Sequence, residues 1–195
     1  FESIPITDSF NSKKNWDDKI VLKGELFKHG VPVPLYQKLP FFYKKKLEKI
    51  FSRFKKPLVV KPQTGSRARH TVTNIQTLSH FEKGVAIARQ ISPYLVVEEH
   101  LDGYICRATT VGGVLAGFYR GSVPFVIGDG ESSVQKLIED KNKKQIERYH
   151  VRLTSELYDH IARFGFKIGD VPPKGLSLSL SHRAGQLFGG TTKEM

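Results

Sequence analysis

The chain has 195 residues, enough for one ordinary domain or two small lobes, and 39% of them are hydrophobic, so it can build a buried core. It has no apolar run of membrane-spanning length, and its single cysteine, Cys106, excludes an internal disulfide and a cysteine-rich zinc site. A net charge of +12 predicts an anionic partner, and nucleotide phosphate, an acidic substrate, nucleic acid and lipid headgroups all satisfy it.

The first half of the chain is predicted to alternate helices with short apolar strands. Apolar residues at helical spacing predict a helix from about Asp17 to His29, and prolines force an extended exit after Gly30. An amphipathic helix with lysines on its outer face is predicted over residues 44–54. The later elements are a strand over 57–62, a polar loop over 63–70, a helix around 78–88 and a buried strand over 94–99.

The sequence becomes rich in β-strand patterns after Gly103, which is the predicted boundary between two lobes. Runs separated by glycines predict a three-stranded meander over 107–111, 114–119 and 122–127. Ser132 and Gln135 resemble a capping box that opens a helix. A further helix is predicted to carry the apolar residues from Leu153 to Phe164, and alternation over 175–180 predicts a half-exposed strand.

Two strand ends carry residue types that suit a nucleotide. Lys61 ends a buried strand just before a loop that contains Gly65, so a rigid element projects its ammonium toward an anion. Glu98 and Glu99 end the next predicted strand, where carboxylates could receive an adenine amino group and ribose hydroxyls. Each unit alone also fits a strand edge beside a turn or a solvated strand end. The pairing of the two units favours a nucleotide site more than either does alone.

The order of the motifs resembles the ATP-grasp superfamily, and within it the branch of cyanophycin synthetase and the glutamate-cysteine and glutathione ligases. The similar segments span roughly Lys19 to Thr191 and keep the order of the family. They are Asp18-Lys19 with Lys23 ahead of Gly30-Val31-Pro32-Val33-Pro34, then Val59-Val60-Lys61-Pro62, Val97-Glu98-Glu99 with Gly103 and Arg107, Val126-Ile127-Gly128-Asp129-Gly130, the strand from Gly175 to Leu180, and Gly189-Gly190-Thr191.

The resemblance implies an α+β fold in which two lobes clamp a nucleotide. Residues 1–16 would form a lead-in segment, 17–102 the smaller nucleotide-binding lobe, and 103–195 a β-rich C-terminal lobe that is incomplete. Lys19 and Lys61 would contact the α- and β-phosphates of ATP, and Glu98 would face the adenine amino group. The backbone from Glu99 to Leu101 would complete the hinge, which is the segment that begins at Glu98.

The chemistry implied by the resemblance is that of an ATP-dependent carboxylate-amine or carboxylate-thiol ligase. The γ-phosphate passes to the carboxylate of a substrate such as an amino acid or peptide, and an amine or thiol then attacks the acylphosphate. Arg107 and Arg120 would face the transferred phosphate or the acidic substrate, and a salt-bridged strand surface explains either one equally well. The family's Mg²⁺ ligands would fall after Met195, so the chain is expected to be a fragment without an evident metal site.

The loop after Lys61 departs from the family pattern. Ala68 and His70 stand at positions where glycine is expected, because backbone amides there cover the phosphates closely. Gly65 remains, and the Ser66 hydroxyl could still donate a hydrogen bond.

Other positions also bear on the site. The acid that usually follows the hinge glycine and holds the ribose is missing, so Glu99 or Asp102 would have to replace it. Asp129 is predicted to be a turn residue rather than a ligand. The seven histidines show no paired ligand spacing, and most are predicted to lie on the surface.

Two other functions are consistent with the sequence. The first is a catalytically impaired ATP-grasp-like module that binds a nucleotide or an acidic polymer, which the altered loop, the missing ribose acid and the net charge all suggest. The second is a basic nucleic-acid-binding domain, suggested by lysine clusters over 44–46, 55–56 and 141–144, although no recognisable nucleic-acid-binding fold accompanies them. The expected location is the cytoplasm, without a membrane partner.

Overall fold

The computed structural model describes residues 15–41, 47–65 and 68–194. Its helices are α1 (Lys19–Lys28), α2 (Leu47–Arg53), α3 (Leu78–Arg89), α4 (Val134–Asn142) and α5 (Ser155–Ala162). Its strands are β1 (Tyr36–Leu39), β2 (Leu58–Pro62), β3 (Val72–Ile75), β4 (Leu95–Glu99), β5 (Ile105–Val111), β6 (Val114–Gly121), β7 (Phe125–Ile127), β8 (Ser177–Ser179) and β9 (Thr192–Glu194). Helices and antiparallel sheets are mixed along the chain, which confirms the predicted α+β class.

The first sheet has the strand order β1-β4-β2-β3, and every pairing in it is antiparallel. One face of this sheet packs on α2 and α3 to form the first hydrophobic core. Leu58, Val60 and Leu95 are fully buried there, and so is Phe81 of α3. The Phe81 ring lies 5.7 Å from the ring of Phe51, which extends the core to α2.

The other face of the first sheet carries charge. Side chains alternate between the faces of a strand, and the pairings Val59–Glu98 and Lys61–Val96 therefore place Lys61 and Glu98 on the same face. Tyr36 pairs directly with Glu98 from the other side and joins them. The sheet thus has an apolar face for the core and a polar face for a ligand.

Helix α1 is fastened to the end of β2 at its N-terminus. Asp18 Oδ1 accepts hydrogen bonds from the backbone of Ile20 and Val21 and caps the helix. The Gln63 side chain donates to Asp18 Oδ2 at 2.5 Å, and the Lys19 backbone N–H donates to the Gln63 carbonyl at 3.0 Å. These bonds fix where the lysines of α1 lie relative to Lys61.

The second half of the chain has its own core and two small sheets. Strands β5, β6 and β9 form one sheet, and β7 pairs with β8 in the other. The core packs apolar side chains of β7 and β8 against α4 and α5. It comprises Val126, Val134, Ile138, Val151, Leu157, Ile161, Leu178 and Leu180.

The predicted meander is wrong in its third strand. Strands β5 and β6 form a hairpin, but β6 has β9 as its other neighbour, and β7 pairs with β8 instead. Pro124 lies between β6 and β7 and has no N–H with which to continue a ladder. Val126 and Leu178 face each other in the β7–β8 pair and are both buried, so the second core determines this pairing.

The helix boundaries differ from the prediction in the second half. Ser133, rather than Ser132, caps α4, and its hydroxyl accepts a hydrogen bond from the Lys136 N–H at 3.2 Å. Gln135 donates to Glu139 instead of completing a capping box. Helix α5 begins after its N-cap Thr154 and ends at Ala162, so it is shorter than the predicted helix from Leu153 to Phe164.

Two further differences lie in the first half. The short strand β3 was not predicted, because a polar loop was the only element expected between Lys61 and the next helix. The predicted start of the helix over 44–54 lies outside the described residues. No helix in the described ranges combines the length and the apolar character needed to cross a bilayer.

Two glycine motifs of the second half have packing roles. A Cβ atom on Gly128 would collide with the carbonyl oxygen of Pro173, and one on Gly190 would collide with the carbonyl oxygen of Ser122. Asp129 Oδ1 accepts hydrogen bonds from the backbone of Glu131 and Ser132, which confirms that Asp129 is a turn residue. These motifs therefore shape the backbone that surrounds the second core.

We expect Phe81→Ala to lower the free energy of unfolding by about 3–5 kcal/mol, because it leaves a cavity in the first core. Phe27→Ala is the matched control, since the Phe27 side chain on α1 is 73% exposed. Urea unfolding followed by circular dichroism measures both changes. Equal, small effects in the two variants would contradict the assignment of Phe81 to the core.

Candidate functional site

A cleft of about 890 Å³ lies between the charged face of the first sheet and the second half of the chain. Its volume lies within the range typical of small-molecule sites. The first half contributes Lys19, Lys61 and Glu98 to its walls, and the second half contributes Tyr104 and His160 among others. The predicted site residues Gly65, Glu99, Leu101 and Asp102 also line it. Ser66 lies outside the described residues.

Glu98 is the centre of the charge in this cleft. It is only 6% exposed, and its Oε1 atom forms an ion pair with the Lys61 ammonium. The Lys23 ammonium lies 2.9 Å from Oε2 and forms a second ion pair with the carboxylate. Each carboxylate oxygen has two lone-pair sites, so Oε2 can accept a hydrogen bond from a ligand while it is paired with Lys23.

Lys19 and Lys61 bring two positive charges to the cleft, beside the carboxylates of Glu98, Glu99 and Asp102. The Lys19 ammonium donates to the Gly65 carbonyl at 2.8 Å, which holds it at the mouth of the loop after β2. Burial lowers the pKa of Lys19, and the charge of the neighbouring Lys61 lowers it further. Lys19 and Lys61 repel each other, so an anion bound between them would stabilise both charged forms.

The hinge residues are held differently from one another. Glu99 is bound to the extended segment after α1, because its Oε2 accepts from the Leu35 N–H at 3.1 Å and its own N–H donates to the Leu35 carbonyl. Leu101 is 65% exposed. Asp102 is fully exposed, and its carboxylate lies 3.9 Å from His100 Nε2. The Glu99 and Asp102 carboxylates thus stand at the rim, where ribose hydroxyls were expected to bind.

The loop after β2 keeps a glycine-like backbone at the positions where glycine was expected. Ala68 has φ 52° and His70 has φ 53°, both in the left-handed region that side chains other than glycine rarely adopt. The Ala68 carbonyl accepts a hydrogen bond from His182 Nε2 at 3.2 Å. A residue of the second half therefore holds this loop against the cleft.

His160 is buried at 3% exposure and is therefore an exception to the prediction that most of the histidines lie on the surface. Arg163 donates to its Nδ1 at 3.2 Å, and its Nε2 donates to Ser179 Oγ at 3.1 Å. Burial, together with the charge of Arg163, lowers the pKa of His160 to about 3. Burial also lowers the pKa of His182. The imidazole of His160 is neutral at pH 7. Its position next to Leu157 and Ile161 on the apolar face of α5 was the available signal in the sequence.

Arg107 and Arg120 lie on opposite faces of the β5–β6 hairpin. Arg107 pairs with Tyr119, whereas Arg120 pairs with Cys106, and directly paired residues share a face. The Arg120 guanidinium stacks 4.0 Å from the centroid of the Tyr104 ring. Neither arginine is among the described residues that line the cleft. One bound group cannot contact both from the same side of the hairpin.

The predicted Mg²⁺ cannot be assigned to a site among the described residues. Within the described ranges, no group of three or more His, Cys, Asp and Glu side chains is placed to hold a metal ion. The Asp129 carboxylate is committed to the turn hydrogen bonds described above.

Relief of backbone strain in the loop should be measurable. We expect Ala68→Gly to raise the free energy of unfolding by about 0.5–1 kcal/mol, because glycine adopts the left-handed conformation without steric cost. Ala86→Gly is the control, because Ala86 is exposed within α3, and it should lower the free energy of unfolding by about 1 kcal/mol. Urea unfolding measures both, and a loss of stability in Ala68→Gly equal to that in Ala86→Gly would contradict the loop conformation.

The buried His160 should make the protein less stable in mild acid. Its pKa is lowered from 6.5 to about 3 on folding, so the unfolded state binds more protons between these values. Stability should fall as pH drops below 6.5, by up to about 1.4 kcal/mol per pH unit from this group. Urea unfolding at pH 6 and pH 4.5 should show a smaller difference for His160→Gln than for the wild type. The same pH dependence in both proteins would refute this assignment.

Known proteins with a similar sequence match most of this chain. No protein-family profile matches the chain. Cyanophycin synthetase from Nostoc sp. (strain PCC 7120) is 30% identical over 185 residues, which cover 89% of this chain and 20% of that protein. The bifunctional glutathione biosynthesis protein GshAB of Streptococcus mutans is 28% identical over 183 residues, covering 89% of this chain and 24% of that protein. The chain thus spans about a fifth to a quarter of the length of these curated relatives.

A solved structure gives a weaker likeness. The bifunctional glutathione synthetase from Pasteurella multocida is 22% identical with a TM-score of 0.39, and the match covers 91% of this chain and 25% of that chain. The sequence relatives match almost the whole chain, including the strands that carry Lys61 and Glu98. The resemblance to the ATP-grasp ligases that was stated from the motifs is confirmed.

Proposed function

We propose that this chain is the ATP-binding portion of a ligase that joins a carboxylate to an amine or a thiol through an acylphosphate. The observation that carries the proposal is the Glu98 carboxylate, which is buried beside Lys61 in a cleft that Lys19 also lines. The relatives support the reaction class, because their names describe enzymes that synthesise cyanophycin and glutathione.

The phosphate end of the proposed site is built from lysines on two different elements. Lys19 projects from the first turn of α1, and Lys61 projects from β2. Their ammonium groups neutralise charge on the phosphates and hold them beside the loop that begins at Gly65. Positioning and charge neutralisation are the main requirements for phosphoryl transfer, so these lysines suit the α- and β-phosphates.

The base end of the proposed site lies at the hinge. The remaining lone pair of Glu98 Oε2 accepts a hydrogen bond from the exocyclic amine of adenine, and Val59, which pairs with Glu98 across the sheet, supplies an apolar surface in the cleft. The backbone from Glu99 to Leu101 completes the hinge. Glu99 or Asp102 takes the ribose hydroxyls in place of the missing acid.

The two arginines adjoin the cleft from opposite faces of the hairpin. Arg107 shares a face with Ile105 and Gly121, which line the cleft, because these residues alternate along the paired strands. Arg120 lies on the other face and stacks on Tyr104, which also lines the cleft. We assign the carboxylate of an amino acid or peptide substrate to one of these two arginines. Mg²⁺ belongs to this proposal with ligands outside the described residues, and so does a cytoplasmic location.

A nucleotide-binding module without turnover is the second candidate. The left-handed Ala68 and His70 favour it, because their side chains limit how closely the loop backbone can approach a phosphate. ADP release with ATP and Mg²⁺, in the presence and absence of amino acids or short peptides, separates the candidates. Release stimulated by a carboxylate substrate supports the ligase, and ATP binding without release supports the module.

The nucleotide site itself is tested by Lys61→Ala. We expect ATP to raise the melting temperature of the wild type, because a ligand that binds only the folded state stabilises it. Lys61→Ala should weaken ATP binding by roughly tenfold or more, since it removes a partly buried cation from the phosphates.

Lys55→Ala removes an exposed lysine outside the cleft and serves as the control. Thermal shift followed by calorimetric titration measures both variants. An absence of any ATP-induced shift in the wild type, or equal affinities in Lys61→Ala and Lys55→Ala, would contradict the proposed site.

A further inference from the structure

Lys23 is almost buried without being part of a hydrophobic core. Its side chain is 11% exposed, although no residue of α1 falls in the buried class. Its ammonium lies 2.9 Å from Glu98 Oε2 and 5.4 Å from the centroid of the Tyr36 ring. Lysines are seldom buried unless they are paired. Lys28 on the same helix is a typical exposed lysine, since its side chain is 70% exposed and pairs with Glu25.

Lys23 stands behind Glu98 and not in the cleft. Glu98, Lys61 and Lys19 all line the cleft, whereas Lys23 is not among the described residues that do so. Lys23 lies one helical turn after Lys19 and therefore on the same side of α1. Any effect of Lys23 on a ligand in the cleft must accordingly pass through the Glu98 carboxylate.

The two ion pairs of Glu98 indicate a specific role for Lys23. Glu98 is shared between two lysines, and Lys61 is the one that a phosphate would draw away. A buried carboxylate that loses its last cation is strongly destabilised. Lys19 cannot take over this pairing in the observed arrangement, because its ammonium is bonded to the Gly65 carbonyl. Lys23 is thus the cation that remains with Glu98 when Lys61 leaves.

We propose that Lys23 is a positioning residue that keeps Glu98 paired and fixed while Lys61 transfers from Glu98 to the phosphates of a nucleotide. This inference rests on the proposed ATP site. Without Lys23, Lys61 stays with Glu98, and every ligand with a polyphosphate binds less well. The site consequently needs two lysines for one glutamate, with one to hold the carboxylate and one to bind the ligand.

The test compares the affinities of ATP and inorganic tripolyphosphate by isothermal titration calorimetry. The variants are Lys23→Met, Lys23→Arg, Glu98→Gln, the double variant Lys23→Met with Glu98→Gln, and Lys28→Met as the control that removes a charge from the exposed side of α1. Circular dichroism melts check that each variant is folded. Tripolyphosphate is included because it engages the lysines but has no base to contact Glu98.

We expect Lys23→Met to weaken binding of both ligands by roughly tenfold, and Lys28→Met to change it by less than about threefold. Lys23→Arg should retain most of the affinity. Adding Glu98→Gln to Lys23→Met should restore tripolyphosphate binding to the level of Glu98→Gln alone, because a neutral side chain no longer retains Lys61. A purely structural role of Lys23 would not produce this rescue.

Three results would each overturn the inference in a recognisable way. Equal affinities in Lys23→Met and Lys28→Met would remove the role of Lys23 and leave the ATP site intact. A loss in Lys23→Met that Glu98→Gln does not restore would show that Lys23 acts independently of Glu98. A wild type that binds neither ligand would overturn the proposed function, and this inference would fall with it.

Discussion

The arrangement of the cleft depends on one buried carboxylate held by lysines from two elements. Glu98 reaches the polar face of the first sheet because β2 and β4 pair in the register Val59–Glu98. The same register brings Lys61 onto that face, and α1 brings Lys23 and Lys19 across it. A shift of one residue between β2 and β4 would move Lys61 and Glu98 to opposite faces. The apolar core on the other face fixes the register, and through it the site.

The second half of the chain acts on this site through the loop after β2. His182 donates to the Ala68 carbonyl, and the buried pair of His160 and Arg163 supports the segment from which His182 projects, because His160 is bonded to Ser179. The left-handed Ala68 and His70 show that this loop keeps the course that glycine would favour. The altered residues therefore change the chemistry of the loop surface more than its path.

The sequence was sufficient to predict the units of the site but not their contacts. Lys61 and Glu98 could be placed at strand ends because short apolar runs precede each of them. Their direct pairing joins residues 37 positions apart, and it follows from a register that local patterns do not encode. The role of Lys23 was hidden for the same reason, since a lysine on a surface helix has no local sign of burial.

The partner of β7 was mispredicted because the packing of Val126 on Leu178, which lies 52 positions later, outweighs the continuity of the β-rich segment. The roles assigned to individual site residues, and the lobe boundary at Gly103, stay predictions.

The most direct measurement of the central claim is a map of ATP-induced amide shifts by two-dimensional NMR on the ¹⁵N-labelled protein. The account predicts that the largest shifts fall on residues 59–65 and 98–103, with smaller shifts at the N-terminal turn of α1. Residues 110–115 at the tip of the β5–β6 hairpin should stay unchanged and serve as the internal reference. Shifts confined to exposed basic residues outside the cleft, with none at Lys61 or Glu98, would contradict the claim that these two residues form the nucleotide site.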